Sequence, residues 1–260
     1  NGTQFLAGGY VRLSRIHNER GDLPQARISL EKAEGLYEYL ADHYDREEDW
    51  RNRSMTYCDL GILDMERNAY ADARLRFQDA LTIAEHLVTV EGSEAARSDM
   101  FHYCLKLGDV YCKEGDFESA RQSFKKCSAM AAQFEKENND LMSISNAALC
   151  YDRLAEVYNA QGAYPDAMRL LKKALEKRIQ YSQETETPVA LRYQAYTYVM
   201  IARTAISMED FFEARTNYEE ALRIVKRLYA SPPTQQQALD LCTCLEDIGV
   251  LCEKEKNMEA

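Results

Sequence analysis

The sequence repeats itself at a fixed spacing of 47 residues. "GDLPQARISLEKA" begins at Gly21, "AYADARLRFQDA" at Ala69, "GDFESARQSFKKC" at Gly115, "GAYPDAMRLLKKA" at Gly162 and "EDFFEARTNYEEA" at Glu209. The small residue at the centre of each copy, Ala26, Ala73, Ala120, Ala167 and Ala214, returns without insertion or deletion. A strict period of this kind means one supersecondary unit used several times and stacked on itself.

Local chemistry says what the unit is. Four residues after each central alanine comes a large apolar group (Leu30, Phe77, Phe124, Leu171, Tyr218), and three later a small one (Ala33, Ala80, Cys127, Ala174, Ala221). Steps of four and three place all three groups on one helix face. Asp22, Asp116 and Asp210 stand where an N-cap is needed, and Pro24 and Pro165 fall in the first turn, where a missing N–H costs nothing. These signals predict helices starting near residues 23, 70, 117, 164 and 211.

A second phase precedes it. Leu13, Leu60, Leu107, Leu154 and Ile201 are each followed by a small residue (Ser14, Gly61, Gly108, Ala155, Ala202), with Tyr10, Tyr57, Cys104, Tyr151 and Tyr198 three positions earlier. Gly21, Gly115 and Gly162 then break the helix, giving a helical hairpin with a very short turn. Gly92, the "ENND" at 137–140, Pro188 and Pro232–Pro233 mark the joints between units. The reading is all-α, with no strand-like alternation.

Aromatic-x2-Leu-Gly-x2-Tyr, a glycine turn and Ala-x3-Phe resemble the tetratricopeptide repeat, most closely in Cys104, Leu107, Gly108, Tyr111, Gly115, Phe117, Ala120 and Phe124. The family repeat is usually about 34 residues, so the 47-residue period reads as a variant with longer helices. The resemblance implies an α-solenoid, a right-handed superhelix of stacked antiparallel hairpins. Five units are expected at about 1–44, 45–91, 92–138, 139–185 and 186–232, with a partial sixth at 233–260. The chain is expected to be a piece of a longer protein.

Composition narrows the partners. The net charge is −11, which argues against nucleic acid, because phosphate binding needs a basic face. No apolar run approaches the roughly 20 residues of a membrane span. Eight cysteines form no CxxC pair, and His17, His43, His86 and His102 lie outside ligand spacing. They read as structural thiols in a reducing compartment, hence a cytoplasmic protein with no metal and no cofactor. No phosphate loop, GxSxG or HExxH is present, so an enzyme is not expected.

Stacked hairpins offer a concave surface that takes extended peptides or partner helices. The resemblance places Arg12, Arg15, Asp59, Ile62, His102, Lys106, Asp109, Asp152, Arg153, Glu156, Tyr196 and Arg203 on that face, beside Val11, Asn18, Cys58, Met65, Asn159, Val199, Glu246 and Val250. These positions vary from copy to copy where the packing phases do not. In the chaperone-tail type of this family, Lys and Asn grip a C-terminal carboxylate; Arg15 and Asp59 stand here where that type needs Asn, so the activity does not carry over. The expected function is a protein–protein interaction scaffold with a protein or peptide partner, alongside possible self-association through the exposed ends. The alternative is the ligand-sensing segment of a larger signalling or transcriptional regulator.

Overall fold

The computed structural model describes residues 2–138, 141–229 and 234–259, and every regular element among them is an α-helix. In chain order these are α1 (Gly2–Glu19), α2 (Leu23–Tyr44), α3 (Glu47–Glu66), α4 (Tyr70–Glu91), α5 (Glu94–Glu114), α6 (Phe117–Asn138), α7 (Leu141–Ala160), α8 (Tyr164–Thr185), α9 (Pro188–Ser207), α10 (Phe211–Leu228) and α11 (Gln235–Glu259). The second helices begin at 23, 70, 117, 164 and 211, the positions expected from sequence, and α2, α4, α6 and α8 run for 22 residues each.

The hairpin turns keep one geometry. A left-handed residue sits at Gly21, Asn68, Gly115, Gly162 and Glu209, always 47 apart. The next amide bonds back to the carbonyl five residues earlier: Asp22 to His17, Ala69 to Asp64, Asp116 to Tyr111, Ala163 to Tyr158 and Asp210 to Ala205, at 2.8–2.9 Å. This bond uses a carbonyl that the ended helix leaves open. Asp22, Asp116 and Asp210 then accept from the amides of Gln25, Ser119 and Glu213, starting the next helix. At the joints, Asp45, Gly92 and Glu186 are also left-handed, while Ser93 and Thr187 cap α5 and α9. The joints at 139–140 and Pro232–Pro233 lie outside the described residues.

The chain divides into two compact units, one ending at Cys127 and the other beginning at Ser128. In the first, Ala26 and Leu30 of α2 pack on Leu60 and Leu63 of α3. Ala73, Phe77 and Ala80 of α4 pack with Tyr103, Leu107 and Val110 of α5. In the second, Ala167 and Leu171 of α8 and Ala214 and Tyr218 of α10 close around Ile201 and Ala202 of α9. All fifteen residues of the small–large–small stripe are buried.

One packing phase behaves differently at the edges. Leu60, Leu107, Leu154 and Ile201 are buried, but Leu13 at the same phase of α1 is 40 % exposed. Leu60 is covered by the second helix of the hairpin before it, and no described helix stands before α1.

Candidate functional site

The first helices present to solvent the phases that neither neighbour claims. In the first unit, Arg15 and Asn18 of α1 meet Asp59 and Ile62 of α3 around a cleft of about 170 Å³, floored by Leu30 and Leu63. Burial pushes the Asp59 carboxyl above its ordinary range, against the pull of the Arg15 guanidinium. Arg12, on the same helix, donates to the Gly8 carbonyl at 3.3 Å and lies 5.9 Å from the Phe5 ring. On α5, His102 and Lys106 are neighbours; desolvation, then the Lys106 charge, hold the imidazole below its usual value. Asp109 is half-buried further along α5. Arg12, Arg15 and Lys106 make no ion pair among the described residues.

In the second unit the inner charges are spent on one another. Arg153 holds Glu156 through two bonds of 2.9 and 3.2 Å, and the Tyr196 hydroxyl donates to Glu156 at 2.7 Å. Burial raises the Tyr196 hydroxyl pKa, and the Glu156 charge raises it further. Arg203 reaches Asp247 on α11 at 2.8 Å, and Asn159 donates to Thr204 at 2.8 Å. A smaller cleft of about 140 Å³ opens where α9, α10 and α11 meet, over Val225 and Leu228 and beside the Arg192–Asp240 pair.

Asp152 was expected on the inner face, and the structure corrects this. It is 2 % exposed and pairs at 3.0 Å with Arg178 of α8, itself buried, while Thr197 of α9 donates to it at 3.2 Å. Arg178 also donates to Ser145 and stacks 4.8 Å from the Tyr193 ring. Burial lifts the Asp152 carboxyl to about 6, with Arg178 and Thr197 opposing. Cys58, grouped with the same face, is buried as well.

The pair carried a signal that periodicity alone holds. At the phase of Asp152 the other four complete copies have Val11, Cys58, Leu105 and Val199, and the partial sixth has the exposed Glu246; at the phase of Arg178 the other four have Tyr37, Ala84, Ala131 and Val225. Two opposite charges therefore replace apolar groups at two core phases of one hairpin. That coincidence marks an internal clamp.

All eight cysteines are free. Cys127 donates to the Phe101 carbonyl at 3.7 Å, and burial lifts the Cys58 thiol to about 12. Among the described residues no three His, Cys, Asp or Glu side chains converge as a metal site, and no helix is long and apolar enough to cross a membrane.

Hairpins joined by a recurrent left-handed turn and a small–large–small stripe define a helical-repeat protein. The chain carries tetratricopeptide repeats: models described as "Tetratricopeptide repeat" match residues 101–180 and 194–232. Protein KINESIN LIGHT CHAIN-RELATED 2 of Arabidopsis thaliana is 26 % identical over 174 residues, 65 % of this chain but 23 % of that protein. The crystal structure of BtubC (BKLC) from P. vanneervenii aligns over 90 % of this chain and 87 % of its own, with a TM-score of 0.65 and 16 % identity. The Rap conjugation gene regulator of the plasmid pLS20, in complex with the Phr* peptide, covers 82 % of this chain at a TM-score of 0.56 and 16 % identity, over 52 % of its own length.

Proposed function

We propose that the chain is a non-catalytic interaction scaffold that binds a peptide or a partner helix on the inner faces of its first helices. The observation that carries this reading is the contrast between unit interiors and inner faces. Stripe positions recur and are buried, whereas Arg12, Arg15 and Lys106 are charged, accessible and without an ion pair among the described residues. A long cation held on a rigid helix without a carboxylate bound to it is well suited to recognition. The Arg15–Asn18–Asp59–Ile62 cleft adds an apolar floor ringed by donors and an acid, the composition of a side-chain pocket. The Rap regulator solved with a peptide supports the same use of a related fold.

Within the first unit, Ile62, His102 and Asp109 belong to the proposed face. Within the second unit, Arg153, Glu156, Tyr196 and Arg203 form a pre-ordered polar face of their own, since their charges are already matched. Asp152 belongs to neither, because its carboxylate is sealed in the core. The second reading, a sensing segment within a regulator, rests on the same face and on the Rap protein being a regulator about half of which aligns.

A peptide-display library selected against the purified chain tests the reading. Binders should lose ten- to a hundred-fold in affinity against Arg15→Ala and Lys106→Ala, the loss of one charge-assisted contact of about 1.5–3 kcal/mol. Lys125→Ala, on a second helix, should bind as wild type. Selected peptides that respond to Lys125→Ala and ignore Arg15→Ala and Lys106→Ala would move the site off the inner face.

A further inference from the structure

Three polar side chains of the first unit line one cleft and bond to nothing in it. Arg15 and Asn18 of α1 stand across from Asp59 of α3, over Leu30 and Leu63, around a space of about 170 Å³. Among the described residues none of the three side chains makes a hydrogen bond or an ion pair, and Arg15 acts on Asp59 only through its charge. Register sets this apart. The same three phases on α7 hold Glu156, Asn159 and Arg153, and there each has a partner. Arg153 holds Glu156 at 2.9 Å, and Asn159 donates to Thr204 at 2.8 Å. The cleft on α1 and α3 thus offers two donors on one wall and a half-buried acceptor on the other, all open, above an apolar floor.

Chemistry narrows the occupant. A cavity of about 150 Å³ holds one benzene ring, so the space is that of a single side chain. An ammonium or guanidinium would donate to Asp59 but offers no acceptor to Arg15 and adds like charge beside it. A carboxylate suits Arg15 and Asn18 but stands against Asp59, whose charge burial already disfavours. A serine or threonine hydroxyl has the right bonds and no stem to cover Leu30 and Leu63. A tyrosine hydroxyl must serve both walls from one oxygen. A carboxamide carries its donor and its acceptor on separate atoms, one for each wall, and glutamine sets it on an apolar two-carbon stem.

We infer that the cleft is a glutamine pocket, in which the side-chain amide N–H of a peptide glutamine donates to Asp59 while its oxygen accepts from Arg15 and Asn18. Given the inner-face binding proposed above, on which this rests, the pocket reads one side chain of the bound peptide and so fixes its register.

The display library, selected against the purified chain, should return peptides with glutamine at one recurrent position. Synthetic forms of a selected peptide with Gln, Glu or Met at that position are then titrated by fluorescence anisotropy. On wild type, Glu or Met should each weaken binding about ten- to a hundred-fold. On Asp59→Asn, which keeps the shape and removes the charge, the Glu form should recover most of its loss, because Arg15 then meets a carboxylate with no acid opposite. Asp59 is half-buried and has no bond to lose, so the melt of that variant should match wild type; the peptide substitutions on wild type decide the matter without it. Peptides that lose affinity on Arg15→Ala and Lys106→Ala, yet carry another side chain at the recurrent position or bind equally well as Gln and Glu forms, overturn the pocket and leave the inner face standing. So does a Glu form that binds no better to Asp59→Asn. Peptides that ignore Arg15→Ala and Lys106→Ala, or a library without binders, overturn both readings.

Discussion

A glycine inside a helix gives up roughly 1 kcal/mol of propensity against alanine, yet Gly61 and Gly108 sit mid-helix in α3 and α5. The reason lies across the hairpin. A Cβ at Gly108 would stand 2.3 Å from Cε1 of Phe124, and one at Gly61 would stand 2.8 Å from Cε1 of Phe77. Gly249 has the same phase and nothing within 4 Å. Gly108→Ala should therefore lower stability by about 1–3 kcal/mol through overpacking, with Gly61→Ala somewhat milder. Gly249→Ala should raise it by up to about 1 kcal/mol, since propensity is gained without a clash. Urea midpoints of the three variants check the order, and a destabilising Gly249→Ala would mean that α11 is covered after all. Sequence alone marks all three as small residues at a packing phase. It does not say which has a ring against it, because that depends on a helix 16 residues further along.

At the scale of the element, the turns show what register adds to composition. Gly21, Gly115 and Gly162 announce themselves as helix breakers, but Asn68 and Glu209 do not; only the 47-residue frame places turns there. The structure gives both residues the left-handed backbone of the glycines, with φ of 59° and 60°. That conformation costs an ordinary side chain roughly 1–2 kcal/mol, and asparagine less. Glu209→Gly should stabilise the chain by about 0.5–1 kcal/mol, the relief of strain being offset in part by the freer unfolded chain. Asn68→Gly should gain less. Differential scanning calorimetry separates them, and a lower melting temperature for Glu209→Gly would show that the Glu209 side chain holds the turn by a contact. The starts of the second helices, the hairpin turns and the buried stripe were thus legible from spacing. The inner face was legible only in part, because charge at a phase does not reveal whether the side chain reaches solvent or a partner such as Arg178.

For the molecule as a whole, stability in a repeat protein is close to a sum of units and nearest-neighbour contacts, and most helices here pack on the helices next to them in sequence. The Asp152–Arg178 clamp ties α7, α8 and α9 together inside the second unit. Removing one partner of a buried pair leaves an uncompensated charge, at a cost of about 3–5 kcal/mol. Asp152→Ala should therefore act mainly on that unit. Hydrogen exchange read by mass spectrometry should show α7–α9 losing protection by several orders of magnitude, while α3–α5 exchange at close to the wild-type rate. Asp152→Leu with Arg178→Met, which replaces both charges by apolar groups like those at the same phases of the other copies, should recover most of the loss. If Asp152→Ala instead exposes α3–α5 as fast as α7–α9, the chain unfolds as one cooperative body, and the nearest-neighbour description fails for this protein.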